Sequence, residues 1–215
     1  MNFAILNKAR VTSKQSPQQL IELAKSATRL LRPPDLAETA FYLCASDPQA
    51  FYMLTFWYRL PSRDELMALN QFKPLQNMAN NASLVTAQTF QLAWEYRRCD
   101  VTLNHSHLCL MTFPQDYPQP QVEVALEGHR KLIHNVPGML GCWYGLALNT
   151  ASAVMLRRMD WHDLEAQQAF FDRAKLAQMD LTCEQRGIAL EYASFDLQAI
   201  VYPWETQKRS GDFKD

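Results

Sequence analysis

The first residues alternate between apolar and polar positions in the manner of a strand. "FAILNKARV" places Phe3, Ile5, Asn7, Ala9 and Val11 on one face, the period-two pattern of an extended chain. About one hundred residues later "LNHSHLCLM" does the same with Leu103, His105, His107, Cys109 and Met111. A period near 3.6 follows each strand. In the first half the stripe is Leu20, Leu23, Ala24, Ala27, Leu30 and Leu31. Ser16 stands at N-cap, Pro17 at the first helical position and Gln19 at the capping-box position, and Pro33-Pro34 ends the helix. In the second half the stripe is Val122, Ala125, Leu126, His129, Leu132 and Ile133, ended by Val136-Pro137-Gly138.

A pair of strands comes next in each half. "ETAFYLCASDPQAFYMLTFWY" turns at Ser46-Asp47-Pro48, and "MLGCWYGLALNTASAVMLRRM" turns near Asn149-Thr150. A second helix is predicted in "SRDELMALNQF", opened by Ser62 and Glu65, and in "HDLEAQQAFFDRAKLAQM". The latter has Asp163 and Glu165 at the positive end and Leu164, Gln168 and Phe171 at helical spacing. "FQLAWEY" and "FDLQAIVY" close the halves as strands.

Each half therefore reads strand-helix-strand-strand-helix-strand, the split βαβ or ferredoxin-like unit. Leu108 and Leu110 oppose Cys109 and Met111, so that strand is apolar on both faces and needs cover on both. The expected class is α+β: two ferredoxin-like βαββαβ repeats, residues 1–99 and 100–204, with antiparallel sheets packed face to face as an intrachain dimeric α+β barrel. The join falls near Cys99-Asp100, and residues 205–215 form a polar tail.

Composition narrows the function without naming it. Of the 215 residues 48% are hydrophobic and 20% charged, enough for a core and too few charges for a disordered chain. The formal net charge is −1 and no basic run could track a phosphate backbone, so nucleic acid is not an expected partner. No apolar stretch reaches the ~20 residues that span a bilayer, and the N-terminus reads as a strand rather than a signal peptide. The five cysteines include no C-x-x-C pair. Reduced thiols in a cytoplasmic protein are expected.

All five histidines lie in the second half, so chemistry is expected there. His105 and His107 are two apart on a strand and point the same way. His129 falls on the apolar stripe of the helix that covers that face. Such a cluster could bind a metal, move a proton, ligate a haem or simply pack. No carboxylate at ligand spacing supports a metal. Asn7 holds the register of His107 in the first half, where a polar group must find a partner or line a wet cavity. Trp161 stands at a strand-helix corner, as a packing anchor or a pocket wall, and His162 beside it reads as a capping or surface residue. One of Arg157 and Arg158 should face inward, where it could steady a phenolate; a surface salt bridge is the plain alternative. Tyr144 and Met111 complete the candidate wall.

The segment "NVPGMLGCWYGLALN", followed by "ASAVMLRRMDWHDLEAQQAF", resembles the antibiotic biosynthesis monooxygenase (ABM) family. The matching positions are Pro137-Gly138, Trp161, Glu165, Ala166 and Phe170. The first half matches more loosely, with Pro33-Pro34 and no Gly, Trp57 earlier in the repeat, and Leu60-Pro61 where the second half has Trp161. The resemblance implies that this chain supplies both halves of what is usually a homodimer, as a monomeric pseudo-dimer or a homodimer of tandems. It also implies a ligand cavity between each sheet and its helices. In the haem-degrading branch a first-strand Asn joins a Trp and a second-helix His. Here Asn7 and Trp57 are present, but the first half's second helix has no His.

Three readings stay open. The leading one is an oxygenase without a bound cofactor, acting on a small hydrophobic aromatic or enolisable substrate and O2. His107 and His129 would be catalytic as bases, since imidazole titrates near neutrality. Asn7, His105, Met111, Tyr144, Arg157 and Trp161 would hold the substrate, and no metal is called for. The second reading is a haem-binding or haem-degrading protein with His129 or His107 on the iron. The third is a non-catalytic small-ligand binder serving a biosynthetic pathway. No Gly-rich phosphate loop points to a nucleotide, and no nucleophile stands beside a base.

Overall fold

The computed structural model describes residues 2–31, 35–44, 47–62, 64–65, 80–97, 105–133 and 136–201. Pro33-Pro34, Ser46, the body of the first half's second helix, the join at Cys99-Asp100, Leu103, His134 and the tail 205–215 lie outside them. The described residues form an α+β protein of eight strands and four helices. They divide into two compact units, one holding the residues up to Thr89 and those from Asp196 on, the other Phe90–Phe195.

The first unit contains β1 (Phe3–Val11), α1 (Pro17–Leu31), β2 (Leu36–Cys44), β3 (Ala50–Trp57) and the start of β4 (Ala82–Arg97). β3 lies between β1 and β2, antiparallel to both, and β4 starts beside β1, where the Thr12 amide donates to the Asn81 carbonyl at 2.9 Å. Helix α1 begins with the expected capping box. The Ser16 amide donates to Gln19 Oε1 at 2.9 Å and the Gln19 amide to Ser16 Oγ at 3.3 Å. Leu20, Ala24 and Ala27 are buried as the stripe predicts, but Leu23 is exposed and Ile21 and Thr28 are buried instead. The buried arc is turned by about one residue. Thr28 tolerates burial because its hydroxyl donates to the Ala24 carbonyl at 2.9 Å. Asp47 forms the β2–β3 turn, accepting from the Gln49 amide at 3.1 Å and pairing with Arg10. The reciprocal bonds between Ser62 and Glu65 are also present, at 2.6 and 3.2 Å.

The second unit holds the rest of β4, then β5 (His105–Thr112), α2 (Gln119–Ile133), β6 (Met139–Ala147), β7 (Val154–Trp161), α3 (Leu164–Phe171), α4 (Ala174–Gln185) and the start of β8 (Ala189–Val201). Its strands are ordered β8-β5-β7-β6-β4, all antiparallel. The first four give the ferredoxin-like arrangement, and β4 extends it beside β6. Both closing strands are longer than their apolar alternation predicts, 16 residues for β4 and 13 for β8. Neither contains a Gly or Pro that would stop it.

Two expectations for the last helical segment need correction. The run 163–179 is not one helix. It breaks at Asp172 and Arg173, where Arg173 is extended with ψ 130°. Just before the break the last two residues of α3 both make ring contacts, Phe170 with Trp161 at 5.2 Å and Phe171 with His107 at 4.5 Å between ring centroids. Nor do Leu164 and Gln168 face the core; Gln167 and Phe170 do, while Leu164 is exposed. The N-cap sets this rotation. Asp163 accepts from the Ala166 amide at 2.7 Å, and Ala166 is pressed onto Gly138.

That contact explains the Pro-Gly. Gly138 has φ +76°, and a Cβ there would lie 2.3 Å from Ala166 Cβ. Its carbonyl accepts from the His162 amide at 2.9 Å, tying the β7–α3 corner to the α2–β6 turn. Only glycine meets both demands. Gly138→Ala is expected to destabilise the protein by about 3 kcal/mol, combining a left-handed backbone with overpacking. Denaturant unfolding monitored by tryptophan fluorescence measures it, and a loss under about 1 kcal/mol would contradict this view of the corner.

Candidate functional site

The site is written by strand register. On one face of the second unit, His107, Met159 and Cys142 occupy one row across β5, β7 and β6, and Cys109, Arg157 and Tyr144 occupy the next. Met111 and Met155 form the row beyond, and His105 and Trp161 the row before. Most of these side chains belong to the core cluster that α2, α3 and α4 also enter through Val122, Ile133, Phe170 and Cys183. His129 projects from the buried face of α2, between Val122 and Ile133.

Arg157 stands in the middle of this face and is fully buried. A guanidinium taken from water needs acceptors. Its Nη1 lies 2.9 Å from His129 Nδ1, and its field reaches His107, Cys142 and Tyr144. Tyr144 lies in the electrostatic reach of both Arg157 and Cys142, and the Tyr144 and His129 rings meet edge-on with centroids 6.3 Å apart. Burial pushes the Tyr144 phenol well above its ordinary value, with Arg157 pulling the other way. Burial also raises the Cys142 thiol, again against Arg157. The thiol and the phenol are therefore neutral at physiological pH, and the positive charge of the face belongs to Arg157.

The histidines change character in this setting. Burial first, and Arg157 second, lower the pKa of His107 and of His129 from 6.5 to about 3. The near-neutral titration expected from their sequence is absent, and both rings are neutral at pH 7. His129 is further constrained. A guanidinium carries only donors, so the bond to Nδ1 requires the imidazole lone pair there. Iron would need a lone pair on Nε2, which this tautomer does not offer. His129 as placed does not fit a haem ligand.

The other expected residues fall as follows. His105, half-buried, opens β5 opposite Trp161, with Asp163 in electrostatic reach. Trp161 is fully buried on Phe170, and its indole nitrogen has no hydrogen-bond partner among the described residues. Asn7 belongs to the first unit, half-buried on β1 opposite Met53 in register. His162 is exposed and bonds Asp163 at 3.0 Å. Among the described residues no three His, Cys, Asp or Glu side chains are grouped to hold a metal ion.

Arg158 faces the opposite side and is buried too. Its Nε donates to Asp160 Oδ1 at 2.8 Å, and Ser106 Oγ donates to the same oxygen at 2.8 Å. This triad was not anticipated from sequence. Its signal was the Arg158–Asp160 spacing of two, which puts both groups on one strand face. Cys142, Met159 and Phe171 were also missed. The first two share the parity of Tyr144 and Arg157, but their alignment depends on cross-strand register, which the chain does not announce.

No protein-family model and no curated protein matches the sequence. Solved structures do match its fold. A provisionally assigned monooxygenase from Fusobacterium nucleatum subsp. nucleatum superposes with TM-score 0.66 at 7% identity, over 94% of each chain. An anthrone oxidase-like protein gives 0.63 at 14% identity, over 95% of this chain and 94% of the other. A ferredoxin-fold protein of Listeria monocytogenes related to antibiotic biosynthesis monooxygenases gives 0.51 at 5% identity, over 91% and 95%. The resemblance to ABM-like proteins therefore holds at the level of the fold.

The depressed histidines predict an acid weakness. Below pH 6.5 the unfolded chain protonates both rings, while the folded chain resists down to about 3. The unfolded state thus binds more protons across that window, and stability falls as pH drops through it. The melting temperature is expected to decline from pH 6.5 downward, more gently in His107→Gln and in His129→Gln. Equal slopes in all three proteins would refute the neutral, buried assignment.

Proposed function

We propose that the chain oxidises a small, acidic, electron-rich aromatic or enolisable molecule with O2, using no resident cofactor. The observation that carries this is Arg157, a fully buried cation bonded to a neutral imidazole on the helix-covered face of the second unit. Such a group lowers the pKa of a phenol or enol beside it, and the resulting anion can itself reduce oxygen. Two fold neighbours bearing oxidase-like or monooxygenase names support the reaction class. The first also suggests an anthrone as a trial substrate.

For an anthrone the chemistry balances with O2 alone. The ring methylene loses a proton to give the enolate, which passes one electron to O2. The radical pair joins as a hydroperoxide at that carbon. Loss of water then leaves a carbonyl, so one oxygen atom enters the product and the other leaves in water. Arg157 and Tyr144 hold the enolate oxygen. His107 takes the methylene proton, returns it to the peroxide anion to give the hydroperoxide, then takes the second proton from that carbon and passes it to the departing hydroxide. Its low pKa makes it a weak base in the empty protein. A bound anion offsets Arg157 and moves that pKa upward. Met111, Met159 and Trp161 supply the apolar wall, and His105 and Asn7 remain candidate contacts at its margins. Passive binding of the same anion is the rival reading, and oxygen consumption separates the two.

The test is oxygen uptake with 1,8-dihydroxyanthrone, corrected for its spontaneous oxidation. We expect one O2 consumed per anthraquinone formed. Arg157→Gln should lower the rate on the order of 10²–10³-fold, the usual loss when a preorganised oxyanion donor is removed. His107→Gln should cost on the order of 10²–10⁴-fold. No uptake above background, with binding intact, would replace this proposal with the passive binder.

A further inference from the structure

We infer that His129 is a tautomer-locked hydrogen-bond donor: Arg157 holds its Nδ1 as the acceptor, and its Nε2–H is offered to an oxygen of the bound molecule. The lock follows from donor counting. All five guanidinium N–H groups donate and none accepts. A separation of 2.9 Å between Arg157 Nη1 and His129 Nδ1 is a hydrogen bond only if Nδ1 keeps its lone pair. The single proton of the neutral ring must then sit on Nε2. Protonating Nδ1 as well would set two donors against each other.

The second observation concerns that proton. His129 is only 2% exposed, and its Nε2 is buried with no hydrogen-bond partner among the described residues. A buried N–H left unanswered costs about 1–3 kcal/mol, and such exceptions in folded proteins call for an explanation. Here one is at hand. Nε2 belongs to a ring whose other nitrogen touches the buried cation and whose edge meets Tyr144. An oxygen that satisfied Nε2–H would enter the field of Arg157. A carbonyl or enolate oxygen can accept this bond, whereas an ammonium group cannot. His129 is then a specificity-determining donor and not the proton acceptor, which leaves that role to His107. The ligand half of this inference rests on the function proposed above; the lock does not.

The test is nuclear magnetic resonance of protein carrying ¹⁵N-labelled histidine, at pH 7. Long-range ¹H–¹⁵N correlations distinguish the two neutral tautomers and the cation. The expected His129 pattern has a protonated Nε2 and an unprotonated Nδ1, and Arg157→Met should add a population protonated on Nδ1. Adding 1,8-dihydroxyanthraquinone, which has no methylene to oxidise, should move the Nε2 proton downfield. His129→Gln, whose amide still donates, should hold this probe within about tenfold of the parent protein. His129→Phe should weaken it by about 10- to 100-fold, the range for a lost buried hydrogen bond. A wild-type His129 protonated on Nδ1, or on both nitrogens, overturns the lock. An unmoved Nε2 proton in the bound protein, or equal affinities for the Gln and Phe variants, overturns the donor role. Neither readout uses turnover, so a failure to oxidise dihydroxyanthrone counts against the oxygenase alone.

Discussion

The hydrogen bond from Arg157 to His129 governs the helix-covered face of the second unit. A charge in a protein interior is tolerated only where neutral dipoles or counter-charges answer it. On this face an imidazole lone pair gives one such answer, and its partners are fixed in turn. His129 must stay neutral to accept the bond. Burial together with the same cation keeps His107 neutral as well. Tyr144 keeps its proton because burial outweighs the pull of the arginine. Burial, with this one cation, thus sets the protonation of the neighbouring groups.

The two faces of the same strands show what a buried arginine can be used for. Arg158 is neutralised one register step away by Asp160, which Ser106 also bonds. That arrangement is a satisfied structural pair with its charge spent internally. Arg157 meets a neutral ring on the helix side, and its field reaches His107, Cys142 and Tyr144. Adjacent residues on a strand point to opposite faces, so two consecutive arginines come to serve different ends. The corner at Gly138 matters for the same reason. It fixes α3 against the α2–β6 turn, which seats Phe170 on Trp161 and Phe171 on His107.

Much of the fold was legible because it rests on local signals. The capping box at Ser16 and Gln19, the stripe Val122–His129–Ile133 and the period-two runs of β1 and β5 each follow from a few neighbouring residues. The errors arose where local signals conflict or fall silent. "AFFDRAK" is helical in composition, yet the helix ends after Phe171 and a new one starts at Ala174. The burial register of α3 was misread because the N-cap, rather than its most apolar residues, sets the rotation. For the site, parity showed that one arginine would turn inward and that His107 and His129 share a face. The sequence could not show the register that puts Arg157 between Cys109 and Tyr144. Nor could it show the burial beside Arg157 that removes both histidines from neutral titration. Those are properties of long-range pairing.

In the proposed function Arg157 makes the face a site for anions. A pH titration of protein-bound 1,8-dihydroxyanthraquinone, followed by the colour change on phenol ionisation, addresses it directly. Ionisation is expected about 1–3 pH units below that of the free compound, as for an acid beside an opposite charge, with the difference lost in Arg157→Met. Ionisation at or above the free value would mean that burial outweighs the cation, and that the face is only a core.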